Sequence, residues 1–215
     1  QQATLVIEAE NLGKHFRATH RSMVRAVNGV SFRCMPGQVY GLLGANGAGK
    51  TTTLRMLSTL LKPTEGSARV AGHDVRQAPA EVRANIGFLS AATALYGRLT
   101  AREMTEYFGR LHGLGGEGLR RRVQDVFQRL EIDFEDRRCD TLSTGMKQKV
   151  SIARTLVHDP PVMIFDEPTL GLDVMTARTI VGFIRECRTQ GKTVLFSTHV
   201  MSEAEKLCDV IGIIH

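Results

Sequence analysis

The chain has 215 residues, 42% hydrophobic and 23% charged, enough for one substantial buried core and ordinary for a globular protein. Net charge is +6 and the sequence pI about 9.4, a balance compatible with nucleic acid, an anionic membrane face or a bound nucleotide. The four cysteines (Cys34, Cys139, Cys187 and Cys208) are far apart with no C-x-x-C pair, which argues against a disulfide framework or zinc site, and no apolar run approaches the ~18 residues that span a bilayer.

Residues 4–9 alternate weakly and read as a strand; residues 29–34 alternate better, and Met35-Pro36-Gly37 turns them into a short buried strand at 38–43. Gly44-Ala45-Asn46-Gly47-Ala48-Gly49-Lys50-Thr51 then matches the phosphate-loop pattern G-x-x-x-x-G-K-[ST], and 51–61 reads as a helix with Leu54, Leu57 and Leu61 on one face. Glycines there let consecutive amides turn inward around an anion, and the following helix points its positive end at it. Lys50 adds a charge for the β- and γ-phosphates, and the Thr51 hydroxyl can ligate Mg²⁺. The segment predicts nucleoside triphosphate binding.

A breaker at 62–66 precedes strands at 67–71 and 86–90. Residues 100–157 read as helical, with breaks at 113–118 and 136–141. The densest basic run, Arg120-Arg121-Arg122, lies opposite an apolar face of Leu119, Val123, Val126, Phe127 and Leu130, which favours a wet helix face over a nucleic-acid patch. Leu142-Ser143-Thr144-Gly145 opens another helix, carrying Met146, Val150, Ala153 and Val157 at helical spacing. The bland reading is a Ser N-cap; the functional one is a second anion-binding helix start using the Ser143 hydroxyl and Gly145 amide. One chain needs no second phosphate site of this kind, whereas a dimer does.

Strand 162–165 ends in Asp166-Glu167, which delivers two carboxylates to the carboxyl edge of a parallel sheet, and 193–197 is a further buried strand. Asp166 is placed to hold Mg²⁺ and Glu167 to accept a proton from attacking water. Strands alternating with helices imply a parallel sheet covered on both faces, with the helical middle inserted. Residues 210–214 read as a core strand immediately before His215, so the domain is expected to continue beyond the chain, which would be C-terminally truncated.

In their order and spacing, the phosphate loop, Leu142-Ser143-x-Gly145 and apolar-Asp166-Glu167 resemble the ATP-binding subunit of an ABC transporter, over essentially the whole chain. The resemblance implies an α/β P-loop NTPase fold: a RecA-like parallel-sheet core, an N-terminal antiparallel β part and a helical subdomain at about 92–157, together one ATP-binding domain over 1–215. It implies that Asn46, Gly47, Ala48, Gly49, Lys50, Thr51 and Thr52 hold ATP, that Phe16 stacks on adenine, and that Thr51 and Asp166 hold Mg²⁺. Glu167, His199 and Lys50 would be catalytic. Asp173, in Leu170-Gly171-Leu172-Asp173, would cross the interface of a homodimer formed on ATP binding, with Ser143 and Gly145 completing the partner's site. Leu142 to Lys149, residues 86–90 and Thr93 to Tyr96 look like the sodium-exporter type, whose relatives pair with a polytopic membrane permease and sit peripherally at the cytoplasmic face of the cell membrane.

Three departures stand out: Ala45 for the commoner Pro, Thr144 and Met146 for Gly and Gln, and Ala91-Ala92 where the family carries a glutamine or another polar residue. The last change predicts modest basal turnover. A soluble ABC-type ATPase acting on nucleic acid or ribosomes is the rival reading; such chains carry tandem ATP domains or a long coiled coil between loop and signature, and neither is present, so no nucleic acid is expected. A metabolic kinase is disfavoured by the Leu-Ser-x-Gly element, and a GTPase by the lack of an Asn-Lys-x-Asp tetrad.

Overall fold

Val39–Leu43, the strand that leads into the phosphate loop, is hydrogen-bonded in parallel on both sides, which roots the loop in the middle of a sheet rather than at its edge. The computed structural model describes residues 6–17, 23–90 and 94–215. In chain order the strands are β1 Ile7–Arg17, β2 Met23–Cys34, β3 Val39–Leu43, β4 Glu65–Val70, β5 His73–Asp74, β6 Ile86–Ser90, β7 Val162–Asp166, β8 Thr193–Thr198 and β9 Val210–Ile213. The helices are α1 Lys50–Leu57, α2 Pro79–Ala84, α3 Ala101–Leu111, α4 Gly116–Arg129, α5 Thr144–Leu156, α6 Val174–Thr189 and α7 Met201–Leu207, with a short 3₁₀ turn at Cys139–Thr141. One sheet has the order β2-β1-β4-β5, with antiparallel pairings; the other has the order β6-β7-β8-β3-β9, and its β7, β8, β3 and β9 run parallel.

The chain forms two compact units. The first comprises Gln1–Phe88, Pro161–Pro168 and Ile184–His215, and the second Leu89–Pro160 and Thr169–Phe183. In the first, Leu54, Met56 and Leu57 of α1 join Ile7, Leu12, Val70, Val162, Ile164 and Leu195 in one apolar cluster, and all are fully buried. In the second, α3, α4 and α5 pack together, and a Cβ on Gly109 would come within 2.4 Å of Leu119 Cδ1, so α3 and α4 approach closely there. A capping box opens α3: Glu103 N–H donates to Thr100 Oγ1 (3.1 Å) and Thr100 N–H to Glu103 Oε2 (2.8 Å).

Several boundaries differ from expectation for identifiable reasons. β1 runs on to Arg17 through bulges that interrupt its alternation and hide its length in the sequence; Asn11 takes φ 48°, and a Cβ on Gly66 would meet the Asn11 carbonyl oxygen at 2.1 Å. Gly66 thus belongs to β4 rather than to a breaker. α1 stops at Leu57, short of Leu61, because Thr59 turns left-handed (φ 64°) and Leu61 N–H closes back on the Arg55 carbonyl at 3.0 Å. The second break in the helical stretch begins at Leu130, where α4 ends.

β9 is the edge of its sheet, not a core strand, and Ile213 is 72% exposed. Arg120 and Arg121 are exposed as expected, but half-buried Arg122 is engaged elsewhere: it donates to the Leu156 and Val157 carbonyls and to Asp159. The cysteines are all free thiols, and burial pushes those of Cys34 and Cys208 up to about 12.

Candidate active site

The phosphate loop takes the shape its glycines allow. Gly47 and Gly49 have φ 86° and 94°, and a Cβ on Gly49 would meet the Ala26 carbonyl oxygen at 2.4 Å. Gly49 caps α1, whose first residue is Lys50. Asn46, Gly47, Gly49, Lys50, Thr51 and Thr52 line a pocket of about 180 Å³ with Ala26 and Glu167. Ala48 is half-buried, its side chain packed against the core and its N–H closing a turn onto the Ala45 carbonyl at 3.2 Å.

Lys50 is only 4% exposed and is fully engaged, since a buried ammonium must be paired. Its Nζ donates to the Gly44 and Ala45 carbonyls at 2.7 and 3.0 Å and lies 3.2 Å from Glu167 Oε1. Thr51 Oγ1 donates to Asp166 Oδ1 at 2.9 Å. His199 Nδ1 is 2.6 Å from Glu167 Oε2. β7 carries Asp166 at its last position, with Glu167 next at φ 49°, a left-handed conformation that costs a non-glycine residue about 1–2 kcal/mol. Lys50 and Thr51, Asp166 and Glu167, and His199, drawn from three separate stretches of the sequence, therefore meet at the carboxyl ends of β3, β7 and β8 as a Thr51–Asp166 pair beside a Lys50–Glu167–His199 group.

The Thr51 hydroxyl and Asp166 carboxylate are adjacent hard oxygen donors beside the glycine-loop pocket. That suits Mg²⁺, which takes one or two carboxylates together with phosphate oxygens rather than a full protein cage. Among the described residues, no group of three or more His, Cys, Asp or Glu side chains is arranged to hold a metal ion by itself.

Phe16 lies on β1 and is 40% exposed, so it is not a core residue, and Lys14 Nζ stands 5.2 Å from its ring centroid. Ser143, Gly145 and Asp173 belong to the second unit. Ser143 is the N-cap of α5 and accepts from Met146 N–H at 3.3 Å. A Cβ on Gly145 would press on Thr176 Oγ1 at 2.7 Å, and that hydroxyl donates to Asp173 Oδ2 at the same distance. Hydrogen bonds from the Thr176 N–H and hydroxyl, then from Met175 N–H, hold the Asp173 carboxyl below its usual range. Ala91 and Ala92 lie outside the described residues.

Sequence reasoning missed Ser197 as a member of the site. Ser197 reads as the end of an apolar strand and the first residue of the Ser197-Thr198-His199 run that carries His199, yet its own hydroxyl donates to the Asp166 carboxylate and accepts from the Glu167 backbone N–H. Nothing local in the sequence marks it, because its role depends on β8 lying beside β7.

A parallel sheet with a glycine loop between β3 and α1, and acids ending β7, defines a P-loop nucleotide-binding protein. Residues 27–170 match the family model described as ABC transporter, and the chain belongs to that family, as its ATP-binding part. Among its relatives, the ABC transporter ATP-binding protein NatA of Bacillus subtilis is 46% identical over 197 residues, covering 91% of this chain and 80% of that protein. The Nod factor export ATP-binding protein I of Paraburkholderia xenovorans is 42% identical, covering 87% of this chain and 62% of that one. The daunorubicin/doxorubicin resistance ATP-binding protein DrrA of Streptomyces peucetius is 38% identical, covering 99% and 63%. The dimeric structure of MJ0796, a bacterial ABC transporter cassette, superposes with a TM-score of 0.88 at 27% identity, covering 97% of this chain and 94% of that one. The same cassette has been solved as a dimer in a post-hydrolysis state bound to ADP and Pi.

Proposed function

We propose that this chain hydrolyses ATP with Mg²⁺ as a head-to-tail dimer and drives export through a separate polytopic membrane permease, at the cytoplasmic face of the membrane. The observation that carries the reading is the Thr51–Asp166 pair beside the Lys50–Glu167–His199 group at the loop pocket. The dimeric neighbour with ADP and Pi supports both hydrolysis and dimerisation, and relatives named for Nod factor export and drug resistance support outward transport. Sodium ions or drugs are the proposed cargo. Residues 1–215 serve as one ATP-binding domain with a helical subdomain at about 92–157.

In this reading the amides of Asn46 to Thr52, with Lys50, hold the phosphates, and Phe16 stacks on the adenine. Thr51 and Asp166 hold Mg²⁺, which when bound neutralises charge on the β- and γ-phosphates. The Glu167 carboxylate takes a proton from the attacking water, and His199 orients that water and the γ-phosphate. Ser143, Gly145 and Asp173 act across the dimer, on the nucleotide held by the other chain.

The test is Mg²⁺-dependent ATP hydrolysis by this chain, set against Glu167→Gln. That variant should bind ATP normally, accumulate an ATP-bound dimer and lose roughly 10²–10⁴ in kcat, about 3–5 kcal/mol of barrier. Near-full hydrolysis by the variant would sink the assignment. Copurification of the native protein with nucleic acid rather than a membrane subunit would favour the soluble rival.

A further inference from the structure

Ser197 stands at the fifth of six positions in β8 and is fully buried. Its Oγ lies 2.9 Å from Asp166 Oδ1 and 3.0 Å from the Glu167 backbone nitrogen. The direction of both bonds is fixed by chemistry. The Glu167 N–H can only donate, so the serine oxygen accepts there and gives its one proton to the carboxylate. Asp166 Oδ1 also receives the Thr51 hydroxyl proton, at 2.9 Å. The parallel register pairs Asp166 with Ser197, so the backbone itself brings these groups side by side.

The two bonds act on different parts of the site. A hydroxyl that ligates a cation does so through a lone pair, and its proton needs an acceptor that stays in place. For Thr51 that acceptor is Asp166 Oδ1, and Ser197 holds it from the side of β8. The second bond secures the Glu167 amide while that residue stays at φ 49°, a conformation that side chains other than glycine seldom adopt.

We infer that Ser197 is a positioning residue that sets the metal-binding pair Thr51–Asp166 and the backbone of the general base Glu167 through one hydroxyl. The inference rests on the proposed hydrolysis of ATP. Outer-layer partners of this kind typically change metal affinity or activity by roughly 10–100-fold when removed.

The experiment compares the wild-type chain with Ser197→Ala and with Ser197→Cys, which keeps the shape of the side chain with a somewhat larger, weakly donating sulfur. Calorimetric titration with ATP in EDTA, and again with Mg²⁺, separates phosphate binding from metal binding. Amide hydrogen exchange at Glu167 and steady-state hydrolysis complete the set. Metal-free ATP affinity should stay within about twofold, because the loop amides and Lys50 are untouched. The affinity gained on adding Mg²⁺ should fall by roughly tenfold or more. The Glu167 amide should exchange faster, and kcat should fall while metal-free binding does not. Ser197→Thr, which retains the hydroxyl, should recover most of the loss.

Wild-type metal dependence together with wild-type Glu167 protection in Ser197→Cys would overturn the inference, even if Ser197→Ala failed to fold. A wild-type chain that does not hydrolyse ATP would instead sink the proposed function. In that event exchange at Glu167 and the metal-dependent affinity would still decide the role of Ser197.

Discussion

His199 Nδ1 lies 2.6 Å from Glu167 Oε2, while Lys50 Nζ is 3.2 Å from the other oxygen of the same carboxylate. An ionised carboxylate only accepts, so Nδ1 carries the proton in this contact and Nε2 is the nitrogen left for water or phosphate. The ring is thus oriented by the group it would work beside. His199→Ala should lower kcat by about 10²-fold, the usual cost of losing one preorganised polar partner. ATP affinity should change little, because Lys50 and the loop amides remain. Steady-state kinetics beside equilibrium binding would check this, and an unchanged kcat would remove His199 from the catalytic group.

If Ser143 and Gly145 complete the site of a second copy, specific ATPase activity should rise with protein concentration. Ser143→Arg should flatten that rise by placing bulk and charge at the start of α5. Activity per molecule that is already constant over a wide dilution series of the wild type would point to a self-contained site.

Arg122 stabilises the second unit through the end of α5. Its guanidinium donates to the Leu156 and Val157 carbonyls at 3.4 and 3.3 Å and to Asp159 at 2.8 Å, where orphan helix carbonyls need donors and the dipole favours a cation. Arg122→Ala should cost about 1–2 kcal/mol in urea or thermal unfolding, less at high salt. Arg120→Ala, on an exposed neighbour, should stay within roughly 0.5 kcal/mol. Equal effects at the two positions would contradict the capping role.

Ala91 and Ala92 offer no side-chain oxygen to a metal or an attacking water. Ala91→Gln or Ala92→Gln should therefore raise kcat more than nucleotide affinity, since water positioning in phosphoryl transfer depends on oriented polar groups. No change in kcat for either variant would mean that another residue already fills the role.

The parts legible in the sequence were those with strict local chemistry. The glycine loop announces itself because only glycine tolerates φ 86° and 94° at Gly47 and Gly49, and β7 because five buried residues end on an acid. β1 was under-read because bulges shift its register and break the two-residue period that reveals a strand. α1 was over-read because Leu61 keeps helical spacing after the backbone has already turned at Thr59. Ser197 was invisible as a site residue for a different reason. Its role depends on which strand lies beside β7, and strand adjacency is a property of the sheet order β7-β8-β3, not of any local pattern.

That adjacency makes the site sensitive to chain length as well as to side-chain identity. Asp166 faces Ser197 across β7 and β8, and Leu43, the last residue before the loop, faces Thr198 across β3 and β8. Deleting one residue within β8 would leave its composition apolar and its propensity intact, yet it would turn the side chain at position 197 to the opposite face. Homologous insertions should therefore be tolerated in the turns but not within the strand. An indel scan would find β8 intolerant at positions where most conservative substitutions pass.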